Sequence, residues 1–142
     1  MKTSLFVLSL VTLLNSSSVF GSGFRCEGES GYRVKVYNEV SPKLGTRVPA
    51  ALIISKAGEG TLQVSRGTEI DKVNYPGFVK YTVAGGPNLG AIEASLEVKF
   101  SEGTETLEEG EAVEALLILT DVTHAKEYYD LTCTRYLKGR AE

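Results

Sequence analysis

The chain has 142 residues, of which 42% are hydrophobic and 23% are charged, with 15 basic and 18 acidic side chains. The net charge of −3 does not suggest the basic patch of a nucleic-acid-binding protein, so we expect no nucleic-acid partner. Residues 25–80 hold nine basic and six acidic side chains, whereas residues 81–142 hold five and twelve. This asymmetry indicates a polar surface for a partner.

Residues 1–23 have the order of a secretory signal peptide. Lys2 supplies a positive charge, residues 5–14 are apolar apart from two polar positions, and residues 15–23 are mostly small and polar. The apolar run is shorter than the roughly 20 residues that a membrane-spanning helix needs. We therefore predict that residues 1–23 are removed, leaving residues 24–142 as a single β-domain that is secreted or periplasmic and has no membrane span. An uncleaved N-terminal anchor is the alternative.

The remaining chain is typical of an all-β domain. Apolar and polar residues alternate, and turn residues recur about every ten positions, which predicts a single-domain antiparallel barrel or sandwich of about 7–8 strands. Residues 24–27 extend the first strand or form an eighth one. Residues 38–46 and 67–75 are predicted as loops, and a helical turn at residues 106–109 is left open. The seven predicted strands cover residues 32–37, 48–55, 61–65, 78–83, 91–100, 111–120 and 127–137.

The alternation also predicts which side chains face the core. Two apolar runs, residues 50–54 and 116–119, do not alternate, so both of their faces are predicted to be covered. Three strands have a clear inner face, formed by Tyr32, Val34 and Val36, by Leu62 and Val64, and by Ile92, Ala94, Leu96, Val98 and Phe100.

Cys26 and Cys133 are the only cysteines. Because an even number of cysteines in an exported chain indicates a disulfide, we predict that they join the first strand to the last. The bridge closes a loop of 107 residues, for which loop-entropy estimates give ~4–5 kcal/mol of stabilisation. A metal site is the competing interpretation, but there is one histidine and no second cysteine beside either position, so none is predicted.

His124, the only histidine, lies in a predicted turn. A catalytic triad would recruit Asp121 or Asp130, but no nucleophile-elbow motif accompanies them. We therefore predict an exposed loop residue and no catalytic residue.

The glutamates between residues 102 and 114 match no calcium-binding loop, and long side chains without aspartate form a poor cage, so a solvated loop is expected. The glycine-rich residues 85–90 lack the Lys-Ser/Thr ending of a phosphate-binding loop and are predicted to be a hairpin loop. No cofactor is predicted.

The seven tyrosines suggest a recognition surface. Tyr37, Arg47 and Tyr128 are the candidate binding residues, since exposed tyrosines beside basic groups recognise proteins, peptides or glycans. Alternatively, the tyrosines cap the core with their hydroxyl groups at the rim. A small apolar ligand inside a barrel is a further candidate partner.

Cys26, the segment Gly31-Tyr32-Arg33-Val34-Lys35-Val36-Tyr37-Asn38, and Gly45-Thr46-Arg47 together resemble small exported single-disulfide β-proteins of Gram-negative bacteria. The resemblance implies an exported β-domain and no activity, so it transfers no functional residue. We predict a binding or inhibitor-like module rather than an enzyme. The alternatives are a small hydrolase that uses His124 and a structural subunit that pairs through a strand edge.

Overall fold

The computed structural model describes residues 23–40, 43, 45, 47–100 and 111–136, which form one antiparallel sheet. Within these residues the only helical element is a 3-10 turn at Gly67–Glu69. The strands are β1 (Gly23–Glu27), β2 (Tyr32–Val40), β3 (Arg47–Lys56), β4 (Gly60–Arg66), β5 (Asp71–Tyr75), β6 (Phe78–Ala84), β7 (Glu93–Val98), β8 (Ala112–Thr120) and β9 (Lys126–Tyr136). The all-β antiparallel fold is confirmed.

The order of the strands in the sheet is β4-β3-β2-β1-β9-β8-β7-β6-β5. All eight pairings are antiparallel, so the two outermost strands, β4 and β5, run in the same direction. Only residues 67–70 connect them, and four residues span at most about 14 Å. The sheet must therefore curl until its two edges approach each other, which gives a half-barrel.

The connection between β6 and β7 helps to cover this opening. A Cβ atom added to Gly86 in this loop would lie 2.9 Å from Oε1 of Gln63 on β4. Leu89 of the same loop is buried. The loop therefore reaches from one half of the sheet to an edge strand of the other half.

The concave side of the sheet is the hydrophobic core. Alternate residues of β2, including Val34 and Val36, are fully buried, as the sequence predicts. The ring of Phe24 on β1 lies 6.0 Å from that of Tyr81 on β6 and 5.7 Å from that of Phe100, centroid to centroid. These aromatic contacts join distant strands, so side chains fill the concave side at this level.

The predicted disulfide is confirmed. Cys26 on β1 stands directly opposite Cys133 on β9 in the antiparallel ladder, and the two sulfur atoms are bonded. Both residues are fully buried. The first and last strands are thus joined by a ladder of hydrogen bonds and by a covalent bond.

The predicted number of about 7–8 strands is wrong, because the described residues form nine. Residues 24–27 belong to a separate strand, β1, and residues 38–40 extend β2. Residues 71–75, predicted as loop, form β5, an edge strand that is mostly exposed and therefore lacks apolar alternation. A turn at residues 76–77 precedes β6, with Gly77 at φ 87°, a conformation that glycine adopts without steric cost. The helical turn considered at residues 106–109 lies outside the described residues.

Val64 and Ile92 do not face the core as predicted; they are 38% and 44% exposed. A β-bulge at Leu62 shifts the register of β4, so that Ser65 pairs with Leu52 and faces the core, while Val64 pairs with Ile53 and faces outward. An inserted residue reverses the alternation in this way. Ile92 precedes β7 and lies in the loop.

The two non-alternating runs also differ from the prediction. Their outward side chains, Ile53 in β3 and Leu116 and Ile118 in β8, are half-buried, whereas their inward neighbours are fully buried. Among the described residues, no second layer covers the outer face at these positions, and the neighbouring outward side chains shield them only in part. The sheet therefore has one core face and one partly apolar outer face.

Candidate functional site

Two of the three predicted binding residues, Tyr37 and Tyr128, lie far apart on the outer face. Tyr37 points outward from β2, opposite Gly23, and Gly23 in turn stands opposite Tyr136 on β9. Tyr128 lies eight residues before Tyr136 on β9, and this separation corresponds to about 26 Å at ~3.3 Å per residue. Arg47 begins β3 on the side of Tyr37, opposite Val40. Tyr128, which is 59% exposed, is therefore separated from the other two.

A continuous depression surrounds the Tyr128 end of the sheet and crosses its outer face. One part, of about 400 Å³, extends from the β5–β6 turn to β9. A second part, of about 530 Å³, extends from β9 to the β1–β2 turn. Both are lined by Glu114, Asp130 and Leu131, so they adjoin. We call this depression the outer groove, and its remaining lining residues are Gly28, Glu29, Ser30, Pro76, Gly77, Phe78, Glu97, Lys99, Ala115, Leu116, Tyr128, Tyr129 and Thr132.

The centre of the outer groove is a row of side chains in register across three strands. Glu97 on β7 stands opposite Leu116 on β8, and Leu116 stands opposite Asp130 on β9. Directly opposite residues have Cβ atoms about 4.5–5.5 Å apart. An apolar side chain therefore lies between two carboxylates, and a ligand in the groove contacts both kinds of surface.

Gly28 forms one wall of the outer groove by lying very close to β9. A Cβ atom added to Gly28 would overlap the carbonyl oxygen of Asp130 and lie 3.0 Å from a methyl carbon of Leu131. Since real Cβ atoms do not approach a carbonyl oxygen so closely, only glycine allows the β1–β2 turn to pack here. This contact fixes the wall next to Asp130.

The opposite wall is the β5–β6 hairpin. The rings of Tyr75 and Phe78 stack across the two-residue Pro76-Gly77 turn, with centroids 4.8 Å apart and an interplanar angle of 11°. Tyr75 is 42% exposed. The hairpin thus presents a rigid aromatic surface at this end of the groove.

The charge of the outer groove is negative. Four carboxylates line it, those of Glu29, Glu97, Glu114 and Asp130, against the single lysine Lys99. Lys99 lies 3.9 Å from Glu114, and Lys80 of β6 lies 3.9 Å from Glu97. These two lysines compensate two of the four carboxylates, which leaves the charges of Glu29 and Asp130. Within the part of the chain that the structure describes, Glu29 and Asp130 form no salt bridge.

Two tyrosines, Tyr32 and Tyr129, pack at the edge of the core at the end of the half-barrel that carries the β1–β2 turn, and Tyr129 also lines the outer groove. The rings of Tyr32 and Tyr129 are 4.6 Å apart, and Nζ of Lys56 lies 4.8 Å from the centre of the Tyr32 ring. Burial, followed by the negative charge that Tyr32 and Glu127 can carry, raises the pKa of Tyr129. These two residues cap the core at its rim, as the alternative interpretation of the tyrosines predicts.

His124 lies in an exposed turn, at φ 68°. Oδ1 of Asp121 accepts hydrogen bonds from the Thr123 amide at 2.9 Å, the Thr123 hydroxyl at 2.6 Å and the Ala125 amide at 3.0 Å. The hydrogen bond from the Thr123 hydroxyl is the main reason why the pKa of Asp121 lies below its ordinary value. The Asp121 carboxylate therefore organises the turn, and Asp130 points outward from β9 into the outer groove.

Among the described residues, no group of three histidine, cysteine, aspartate or glutamate side chains is arranged to hold a metal ion. Most of the glutamate-rich segment considered for calcium, residues 101–110, lies outside that part of the chain. The described residues also include no helix long and apolar enough to cross a membrane.

Comparisons with protein families, with curated proteins and with solved structures give no match to this chain. Any functional argument therefore rests on the site itself.

Of the outer groove, the sequence analysis identified only Tyr128 as a binding residue. Glu97, Leu116 and Asp130 were missed because they are far apart in sequence and become neighbours only through the register of three strands. The one signal that pointed to them was the excess of acidic residues after residue 80.

Proposed function

We propose that this protein is an exported binding module that holds an extended polypeptide segment of a partner in the outer groove. The observation that carries the proposal is the continuous groove across β7, β8 and β9, with the exposed ring of Tyr128 at one end and Leu116 in its centre. Exposed aromatic residues beside an apolar depression are typical of sites that dominate binding energy. The buried disulfide supports export, because such bonds persist in oxidising compartments.

The dimensions of the outer groove favour an extended chain. From β6 to β9 there are three inter-strand spacings of about 4.8 Å, which give a length of at least ~14 Å. An extended peptide rises about 3.3 Å per residue, so four or more residues fit along it. The combined volume is open and elongated rather than enclosed, which suits a peptide segment better than a small ligand.

The proposal is tested by selecting binders from a random-peptide display library on the immobilised, disulfide-bonded protein. We expect enriched peptides whose affinity falls about tenfold in Tyr128→Ala and in Leu116→Ala, as for central aromatic and apolar contacts. Val64→Ala is the matched control, since it removes an outward apolar side chain from β4, far from the groove. Enriched peptides that bind all three variants equally, or an absence of enrichment, would refute the proposal.

A further inference from the structure

The outer groove carries a charge pattern that specifies the kind of segment it binds. Its four carboxylates outnumber the two lysines that pair with them, Lys80 and Lys99, which leaves a local excess of negative charge. The acidic residues of the chain are concentrated after residue 80, and most of the groove is built from β7, β8 and β9. Three of the four carboxylates in the outer groove therefore come from the acidic half of the sequence.

Asp130 is the central charged group of this surface. It lines both parts of the groove and, within the described residues, forms no salt bridge. Glu114 also lines both parts, and its direct partner on β9 is Thr132, two residues from Asp130. Diagonal neighbours of this kind lie about 7–8 Å apart, within reach of one long side chain. A single guanidinium or ammonium group between Asp130 and Glu114 contacts both carboxylates.

The apolar contacts lie beside these carboxylates rather than apart from them. Leu116 is directly opposite Asp130, Phe78 lines the groove at one end, and Tyr128 precedes Asp130 by one outward position on β9. Consecutive side chains of an extended peptide point to opposite sides and return every second residue. A segment that presents both basic and apolar side chains can thus satisfy Asp130 and Leu116 together.

We infer that the partner segment is basic, an extended peptide in which lysine or arginine side chains accompany apolar ones, with its positive charge placed between Asp130 and Glu114. This inference rests on the proposed function, since it specifies the ligand of the same groove. Asp130 forms no salt bridge within the described residues, so a ligand cation that neutralises its carboxylate adds attraction without displacing a partner.

The test uses the intact disulfide-bonded protein and three dye-labelled peptides of eight residues, in which pairs of leucines alternate with pairs of lysines, serines or glutamates, so that each face of the extended peptide carries both kinds of side chain. We expect the lysine peptide to bind most tightly and the glutamate peptide least tightly in fluorescence anisotropy at low salt. Raising the salt concentration should weaken the lysine peptide selectively, because screening shortens the range of exposed charges to about 10 Å at 0.1 M.

Variants at Asp130 test whether this carboxylate causes the preference for the lysine peptide. Asp130→Asn should weaken the lysine peptide about fivefold, the upper range for one exposed ion pair, and leave the serine peptide unchanged. Asp130→Lys should reverse the preference toward the glutamate peptide. Glu39→Gln is the control, because it removes the same charge from an exposed position of β2 outside the groove. Thermal melting of each variant verifies that it is folded.

Different results would contradict the specificity for basic peptides and the binding groove itself. If the serine and lysine peptides bind equally and Tyr128→Ala weakens both, the basic specificity is wrong and the binding groove stands. If binding of the peptides is insensitive to Tyr128→Ala and Leu116→Ala, the groove itself is wrong. If spermine displaces the lysine peptide completely at equal concentration, the site is one for polyamines, and the peptide inference is overturned.

Discussion

At the scale of single residues, Asp121 shows how one side chain organises a connection. One carboxylate oxygen accepts three hydrogen bonds from the turn between β8 and β9. The amide of His124 donates to the Asp121 carbonyl oxygen at 2.9 Å, and His124 adopts a left-handed conformation that costs energy in a non-glycine residue. The turn that suggested catalytic residues from the sequence is thus held by its own carboxylate.

The hydrogen bonds to Asp121 predict a pH dependence of stability. Because the pKa of Asp121 in the folded chain is below its ordinary value of 3.8, the folded state favours the ionised carboxylate. This contribution is complete above the unfolded pKa and is lost as the pH falls through the lower, folded pKa. We expect the melting temperature of the wild type to fall more steeply below pH 4 than that of Asp121→Ala. Asp71→Ala, which removes an exposed carboxylate from β5, serves as the control.

Measuring melting curves from pH 7 to pH 2 for the three proteins provides this comparison. Parallel curves for the wild type and Asp121→Ala would contradict the role of the carboxylate.

At the scale of the strand, alternation predicts structure only where the register is regular. It predicted the inner face of β2 correctly, because no bulge interrupts its inward positions between Tyr32 and Val36. In β4 a single extra residue at Leu62 reversed the faces beyond it. A bulge depends on how two strands meet, which one strand's sequence does not record.

The reversed face of β4 predicts that the same substitution has different effects at two valines. Val64→Thr should change the free energy of unfolding by less than about 0.5 kcal/mol, because this side chain points outward. Val34→Thr places a hydroxyl in a fully buried position and should cost about 1–3 kcal/mol. Urea unfolding of both variants measures the difference. Equal losses would mean that Val64 faces the core after all.

The dependence on strand register also explains which residues of the candidate site could be predicted from the sequence. The outward direction of Tyr128 follows from alternation along β9 alone. The row formed by Glu97, Leu116 and Asp130 requires the pairings of β7 with β8 and of β8 with β9. Gly28 gave no sequence signal of its own, because its role depends on the Asp130 carbonyl oxygen of a distant strand.

At the scale of the whole molecule, the sheet consists of two meanders. Strands β1–β4 and strands β5–β9 each pair with their sequence neighbours, and the β1–β9 ladder joins the two groups. The first meander, residues 23–66, holds seven basic and four acidic side chains, whereas the second, residues 71–136, holds five and twelve. The outer groove belongs mainly to the second meander, and the β1–β2 turn of the first forms one wall. The groove therefore requires that both meanders stay together.

The disulfide reinforces the β1–β9 ladder, which among the described residues is the only strand pairing between the two meanders. The sulfur atoms link residues 107 positions apart, and a loop of that size corresponds to about 4–5 kcal/mol in chain-entropy estimates. Since small domains have a net stability of roughly 5–15 kcal/mol, the loss is large. β1 has only five residues, so its hydrogen bonds are few. Without the bond, the β1–β9 ladder should open before the rest of the sheet.

We therefore expect the double variant Cys26→Ala/Cys133→Ala to unfold at a much lower urea concentration than the oxidised protein. In hydrogen exchange, the amides of β1 and β9 should lose more protection than those of β6 and β7, because the opening begins at the ladder between the meanders. Reducing agent should destabilise the wild type and leave the double variant unchanged, which separates the bond from the lost side-chain volume. Protection that falls evenly over all nine strands would show instead that the half-barrel opens as one unit, and unchanged stability would show that the disulfide does not hold the meanders together.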